Sequence, residues 1–262
     1  MQRRKLFGRL AGALALLGAF AGAPLEAWTP QTQIAIADHA ARVAPTLLRR
    51  QMERRQWSYH QGVVAPFAET DADQHVRTGD GRGRLDRVIA REVERAVRAI
   101  QGHRPFADIV QQLGVVSHYL ADANNPLNAS DGDPREGDYF ADYLSYVDRV
   151  RPRFPVVFYG GPPVETPQDV RRLVARALER SSALYPAIGR EYRRIGPASG
   201  IDGFDDKSTA FGVGSVAFSH AVSDTARVLR YIWLRAGGAD RSRLATLPRW
   251  RLILLSPGAR SR

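Results

Sequence analysis

The chain has 262 residues, 44% of them hydrophobic, which is typical of a globular protein with one well-shielded core. Its 38 basic residues against 27 acidic residues give a formal net charge of +11, which suits phosphate-bearing partners. The arginines are scattered along predicted helices, so we favour an ordinary solvated surface over a dedicated polyanion groove. The absence of cysteine excludes disulfides, thiolate metal sites and a lipid-linked cysteine.

Residues 1–27 have the pattern of a signal peptide. A basic start is followed by an apolar run from Leu10 to Phe20 and by a small-residue cleavage site ending at Ala27. The apolar run is too short for a membrane anchor, so we predict an exported, periplasmic or secreted protein with no transmembrane segment in its mature chain. Cleavage exposes Trp28 and removes four basic residues and one acidic residue, which lowers the net charge from +11 to +8.

The next segments predict a helical protein. Thr29 and Pro30 form a helix start, and helical spacing continues to about Arg55. Glycine and proline predict an irregular stretch over residues 57–80, and apolar spacing then predicts a helix over residues 85–100.

Further helices follow along the rest of the chain, without an internal repeat or linker. We therefore predict one all-α, multi-helix domain over residues 28–236 and a basic C-terminal tail over residues 237–262. The elements predicted in this part are helices over 105–122, 138–150, 166–184 and 208–236, with a loop or short hairpin over 154–167.

One segment, Leu113 to Ala129, carries the strongest chemical signal. Its sequence, LGVVSHYLADANNPLNA, places His118 and Asp122 four residues apart. On a helix this spacing is about one turn, so the imidazole and the carboxylate lie on one face and can reach one metal ion. Apolar neighbours predict that the helix is largely buried, and buried ionisable groups require a partner or a metal.

The run His118 to Asp122, followed by Pro126 and Ala129, resembles the central motif of the zinc-dependent phospholipase C and single-strand-specific nuclease superfamily. That motif reads His-Tyr-Leu-Gly-Asp, then proline, then histidine-alanine. Trp28 matches a second feature, because the α-amino group and carbonyl of an N-terminal tryptophan bind metal in this family. The resemblance extends over residues 28–148 and implies an all-α fold with three zinc ions that activate water to hydrolyse phosphodiester bonds.

The resemblance also implies roles for individual residues. His118 and Asp122 match metal ligands, and the aspartate bridges two metals in the family. His75 corresponds to a histidine upstream of the central helix, although a surface loop histidine is an equally weighted interpretation. Trp28, His75, His118 and Asp122 are therefore predicted metal ligands.

Several positions depart from the family pattern. Gln33 occupies the place of an early histidine, Phe67 follows Pro66 where relatives carry an aspartate, and Asn128 replaces the motif histidine, which makes Asn128 a doubtful ligand. Three residues could substitute for the missing carboxylate: Glu69, Asp71 and Asp73. We predict that Glu69 or Asp73 is the catalytic general base.

In the fourth helix, Asp138 and Asp142 stand where the family has a histidine and a carboxylate one turn apart. Two carboxylates at this spacing can share a metal ion, whereas an acidic residue at a helix start is also typical of a solvated N-terminus. Oxygen ligands shift the metal preference from zinc toward magnesium, calcium or manganese. We therefore predict one to three zinc ions, with other divalent metals as alternatives, and favour a mononuclear or mixed-metal site.

The predicted function is an exported metal-dependent phosphodiester hydrolase, phospholipase C-like or nuclease-like. Its substrate is a phospholipid headgroup or single-stranded nucleic acid, flanked by Trp57, Tyr59 and Phe67 unless these aromatics serve core packing. The competing hypothesis is a non-catalytic, divergent scaffold that keeps the helical fold and at most one structural metal. The replaced ligands favour this alternative.

Overall fold

A computed structural model describes residues 28–129 and 133–239, together with the backbone of a strand at residues 253–255. The predicted signal peptide, residues 1–27, and most of the predicted C-terminal tail lie outside the described residues. The regular elements of the described part are α1 (Pro30–Val43), α2 (Thr46–Arg54), α3 (Gln56–Val64), α4 (Leu85–Gln101), α5 (Phe106–Ala123), α6 (Glu136–Val150), β1 (Val156–Phe158), α7 (Pro167–Ile195), α8 (Gly200–Gly203), α9 (Thr209–Arg235) and β2 (Ile253–Leu255).

α5 is the central helix of the fold. Helices α3, α4 and α9 pack against it, and every side chain from Val116 to Ala123 is buried. A helix that is enclosed on all sides belongs to the interior of a multi-helix domain. The predicted all-α fold is confirmed, and α4, α5 and α9 begin and end within two residues of the predicted bounds.

Residues 30–64 form three helices where the sequence predicted one helix and an irregular segment. α1 ends at Val43 because Ala44 precedes a proline, which favours the extended conformation that Ala44 adopts (φ −62°, ψ 161°). A single helix to Arg55 was therefore a wrong prediction. Irregular structure from Trp57 was also wrong, since α3 continues to Val64 in spite of Gly62.

Gly62 is required in α3 because this helix lies very close to α5. A Cβ atom on Gly62 would lie 1.8 Å from the carbonyl oxygen of Gln111, and one on Gly114 would lie 2.2 Å from that of Tyr59. No side chain fits at these distances, so glycine on both helices permits the contact. The close packing brings α3 against the middle of α5.

Capping residues explain three of the confirmed helix starts. The side chain of Thr29 accepts a hydrogen bond from the Thr32 backbone, and Ser208 does the same for Phe211. Thr166 and Asp169 form a reciprocal capping box at the start of α7. These side chains satisfy backbone N–H groups that a helix leaves without an internal partner.

The segment predicted as a loop or short hairpin contains β1. This strand pairs with β2 in antiparallel register, with Val156 opposite Leu255, so its partner comes from the C-terminal region of the chain. Within the described residues, no helix combines the length and apolar character needed to cross a bilayer.

Candidate metal centre

The second half of α5 and the loop before α4 bring three predicted ligands together. His118 and Asp122 lie one turn apart on α5, and His75 follows the 3-10 turn Ala72–Gln74. The Nδ1 atom of His75 lies 2.8 Å from Oδ2 of Asp122, and Nε2 of His118 lies 3.2 Å from the same oxygen. The two histidine nitrogens are 3.3 Å apart. All three side chains are buried, so the alternative of a solvated loop histidine does not describe His75.

A hydrogen bond to the end of α3 fixes the orientation of His118. Its Nδ1 atom lies 2.8 Å from the carbonyl oxygen of Val63, which can only accept a hydrogen bond, so Nδ1 carries the hydrogen. In a neutral imidazole, Nε2 then bears a lone pair, and this lone pair faces Asp122 and His75. A carbonyl partner on the far nitrogen is the usual arrangement for a histidine that binds metal.

The donor set fits a divalent metal ion such as zinc. One ligand atom from each of His75, His118 and Asp122 lies within 4.8 Å of the others, and this is the sole group of three or more such side chains within the described residues. Two nitrogens and one carboxylate oxygen are a known zinc ligand set that leaves a fourth position open. A cation bound by these atoms would take the place of the hydrogens that they otherwise share.

The electrostatics keep Asp122 ionised. Complete burial alone would raise the pKa of Asp122, but the adjacent His118 and His75 outweigh this effect and hold the pKa below its ordinary value. A charged carboxylate in a buried position requires compensation by cations or hydrogen-bond donors. Asp122 is therefore available as an anionic ligand at neutral pH.

Gln33, at the position of the early histidine, contacts the opposite oxygen of Asp122. Its Nε2 atom donates a hydrogen bond of 2.8 Å to Oδ1 of Asp122. Its Oε1 atom is buried and has no hydrogen-bond partner in the described part of the chain. Oδ1 of Asp122 thus faces an amide N–H, where a bridging carboxylate would face a second metal.

Trp28 and Asn128 enclose this group. The Trp28 side chain is fully buried, and its indole N–H donates a hydrogen bond of 3.1 Å to the carbonyl of Ala121, the residue before Asp122. The amide of Asn128 donates a hydrogen bond of 2.9 Å to the carbonyl of His75. Asn128, predicted as a doubtful ligand, therefore positions the loop that carries His75.

Two aromatic rings pack against the histidines. Phe67 contacts His118 edge to face with ring centroids 4.8 Å apart, and Tyr119 lies 5.3 Å from the ring of His75. Burial, reinforced by the charges of Glu69 and Asp122, raises the pKa of Tyr119, so its hydroxyl stays protonated at neutral pH. The sequence did not identify Tyr119 as a site residue, although its place between His118 and Asp122 was a usable signal.

The two predicted general bases lie on the exposed part of the same loop. Glu69 accepts a hydrogen bond of 3.5 Å from Gln74, and the backbone carbonyl of Asp73 accepts one of 2.8 Å from Arg84. Both side chains are exposed, and neither belongs to the buried group of ligand atoms.

The structure does not bring Asp138 and Asp142 into the ligand group. Asp138 is exposed in the first turn of α6. Oδ2 of Asp142 accepts hydrogen bonds from the Tyr192 hydroxyl (2.6 Å) and from the backbone N–H of Gly200 (2.8 Å). These donors join α6 to α7 and α8, so Asp142 has a structural role there.

The other two aromatics predicted beside the substrate differ in environment. Tyr59 is buried, and its hydroxyl lies 2.8 Å from Oγ of Ser117, which supports the alternative of core packing. Trp57 is 75% exposed and is not a core residue.

Comparisons with known proteins support the fold. The alpha toxin from Clostridium absonum is 12% identical with a TM-score of 0.57, and the match covers 77% of this chain and 63% of the toxin. The Clostridium perfringens alpha-toxin from an avian strain is 11% identical with the same TM-score of 0.57, covering 84% of this chain and 67% of the toxin. No protein-family model and no curated protein matches the chain. The chain spans about two thirds of each toxin and shares their all-α fold, as predicted.

Proposed function

We propose that the protein is an exported metal-dependent phosphodiester hydrolase with one zinc ion bound by His75, His118 and Asp122. The observation that carries this proposal is the convergence of three ligand atoms within 4.8 Å in a buried position. The likeness to the alpha toxins supports a related hydrolase fold, and the predicted signal peptide supports export.

A bound zinc ion supplies a Lewis acid that polarises a phosphoryl oxygen and lowers the pKa of water. The protein contributes the geometry. Val63 holds His118 in the tautomer that leaves Nε2 available, and Asn128 fixes the backbone of His75. Phe67 and Tyr119 exclude water from the two imidazole rings, which strengthens the electrostatic attraction of Asp122 for a cation.

A single metal fits this chain better than three. Oδ1 of Asp122 is capped by the amide of Gln33, so the carboxylate has one oxygen left for metal. Oδ2 of Asp142 already accepts hydrogen bonds from Tyr192 and Gly200. These contacts occupy carboxylate oxygens that additional metals would require.

We assign the role of general base to Glu69, with Asp73 as the second choice. Glu69 is exposed at the edge of the site, and its charge contributes to the raised pKa of Tyr119. The protonated Tyr119 hydroxyl is suited to donate a hydrogen bond to a phosphoryl oxygen. The substrate is a phosphodiester, either a phospholipid headgroup or single-stranded nucleic acid.

The second candidate function is a non-catalytic scaffold with one structural metal, and the burial of the ligands favours it. His75 is 6% exposed, and His118 and Asp122 are 0% exposed. A substrate therefore reaches these ligand atoms only if part of the surrounding structure moves. In this alternative the metal stabilises the fold and no phosphodiester is hydrolysed.

Elemental analysis of the chain beginning at Trp28, combined with activity assays, tests both functions. We expect about one zinc ion per chain and zinc-dependent hydrolysis of a phosphodiester dye, short-chain lecithin or single-stranded DNA. One zinc without hydrolysis of any of these supports the structural-metal alternative. A folded chain without metal or activity contradicts both.

A pair of histidine variants provides the matched control. His118→Ala should lose the metal and the activity. His103→Asn should retain both, because His103 is exposed and has φ +52°, a conformation that asparagine tolerates.

A further inference from the structure

Exposed apolar side chains are concentrated on one part of the surface. The large hydrophobic residues that are exposed in the described part of the chain are Leu47 (46%), Trp57 (75%) and Phe106 (37%). They lie on α2, in the first turn of α3 and at the first residue of α5. Single exposed apolar residues are ordinary, but their restriction to adjoining helix ends points to an interaction surface.

Arginines separate these apolar residues. Leu47, Arg50 and Arg54 follow one another at intervals of three and four residues, so they lie on one face of α2. Trp57 comes directly after this helix, in the first turn of α3. The guanidinium of Arg55 lies 5.6 Å from the centroid of the Phe106 ring, which links α5 to the same surface. We call the surface formed by Leu47, Arg50, Arg54, Trp57 and Phe106 the α2 face.

The α2 face carries an excess of positive charge. Residues 46–57 contain four arginines and one acidic residue, Glu53. Glu53 lies 3.7 Å from Arg49. Arg50 and Arg54 are both exposed, and neither forms an ion pair with another described residue. Their charges therefore remain available to an anionic partner.

We propose that the α2 face docks on the surface of an anionic phospholipid bilayer. Tryptophan favours the boundary between lipid and water, leucine and phenylalanine add apolar contact, and arginines bind anionic headgroups. The three apolar side chains expose on the order of 300 Å², well below the roughly 800 Å² per partner that a stable protein interface buries. This size and charge favour a membrane surface over a second copy of the chain.

Docking on the α2 face is separate from the proposed metal chemistry. Phe106 precedes His118 by twelve residues on α5, which corresponds to about 18 Å along the helix. Phe106 and the proposed metal ligands that α5 carries are thus in opposite halves of this helix. The protein can be tethered through one end whether or not the other end binds zinc.

Vesicle co-sedimentation tests this proposal. The experiment uses the chain beginning at Trp28, because the apolar run of residues 10–20 would itself bind lipid. We expect binding to phosphatidylglycerol vesicles and little binding to phosphatidylcholine vesicles. Trp57→Ala should weaken binding about tenfold through the loss of interfacial contact. The double variant Arg50→Gln with Arg54→Gln should weaken it about 30-fold.

Matched controls separate this surface from the general positive charge. Arg171 and Arg190 are exposed on α7, so Arg171→Gln with Arg190→Gln removes the same charge elsewhere and should change binding less than twofold. Brominated lipid should quench the fluorescence of the parent chain more strongly than that of Trp57→Phe.

Three results would overturn the proposal. The first is equal binding of the α2-face variants and the α7 control. The second is concentration-dependent dimerisation that Trp57→Ala abolishes. The third is binding of single-stranded DNA that Trp57→Ala weakens while vesicle binding is unchanged. Hydrolysis of a soluble phosphodiester dye by the same variants reports on the metal centre, so failure of docking and failure of the proposed hydrolase are distinguishable.

Discussion

Two regions of the molecule carry polar pairs one turn apart on a helix, and their surroundings differ. On α5, two imidazole nitrogens, from His118 and His75, meet one carboxylate oxygen of Asp122. On α6, Asp142 faces the hydroxyl of Tyr192 and the backbone N–H of Gly200. The first arrangement offers three possible ligand atoms that one cation can join, whereas in the second a hydroxyl and a backbone N–H, which cannot bind a metal together with the carboxylate, already satisfy it. Identical spacing thus has different meanings, depending on what neighbouring helices provide.

Among the variants that test this difference, removal of the Asp122 carboxylate should have the largest effect on metal content and stability. Asp122→Ala leaves two buried histidines and the Gln33 amide without their carboxylate partner. We expect the metal to be lost and the free energy of unfolding to fall by about 4 kcal/mol. Elemental analysis and chemical denaturation measure the two effects.

The control for this variant is Asp108→Ala, which removes an exposed carboxylate from the same helix. It should keep the metal and change the free energy of unfolding by less than about 0.5 kcal/mol. Retention of metal in Asp122→Ala would contradict the assignment of Asp122 as a ligand.

Asp142→Ala should destabilise the protein without changing its metal content. The variant leaves the Tyr192 hydroxyl and the Gly200 N–H without their acceptor, which costs about 2 kcal/mol. Thermal unfolding and elemental analysis provide the readouts. Loss of zinc in this variant would place a metal at α6 and remove the distinction between the two regions.

Asn128→Ala tests the support of His75. The variant removes the hydrogen bond from the Asn128 amide to the His75 carbonyl. We expect a loss of about 1 kcal/mol in stability and a roughly tenfold weaker affinity for zinc. Competition with a chromophoric chelator measures the affinity, and an unchanged value would show that His75 needs no such support.

The smallest expected effect is on the pH dependence of the free energy of unfolding, which should differ between the metal-free protein and its Asp122→Asn variant. The pKa of Asp122 is held below its ordinary value in the folded state. Its contribution to stability is therefore present above the unfolded pKa of about 3.9 and is lost as pH falls through the folded pKa.

Denaturation measured below about pH 5 should consequently show a steeper loss of stability in the parent chain than in Asp122→Asn. Parallel curves would indicate that the folded and unfolded pKa values of Asp122 are the same.

Local patterns in the sequence predicted much of the fold. Threonine caps followed by proline located the starts of α1 and α7, because capping depends on residues a few positions apart. Gly62 led to the wrong prediction for α3, because its purpose is a close contact with α5 that a sequence pattern does not display. The helix survives this glycine because packing against α5 stabilises it.

The convergence of His75, His118 and Asp122 was predictable to the same extent. His118 and Asp122 follow from spacing on one helix, and His75 from the family motif. The outcome at Asp142 depended on Tyr192 and Gly200, which are distant in sequence and come close only through folding. The role of Asn128 likewise depended on a loop more than fifty residues earlier in the chain, since its partner is the His75 carbonyl.

An anomalous difference map at the zinc edge, from crystals of the chain beginning at Trp28, would show whether His75, His118 and Asp122 bind zinc. We expect one peak, about 2.0–2.2 Å from Nδ1 of His75, Nε2 of His118 and a carboxylate oxygen of Asp122. A zinc-supplemented crystal without a peak at these residues, or with a peak between Asp138 and Asp142, would contradict it.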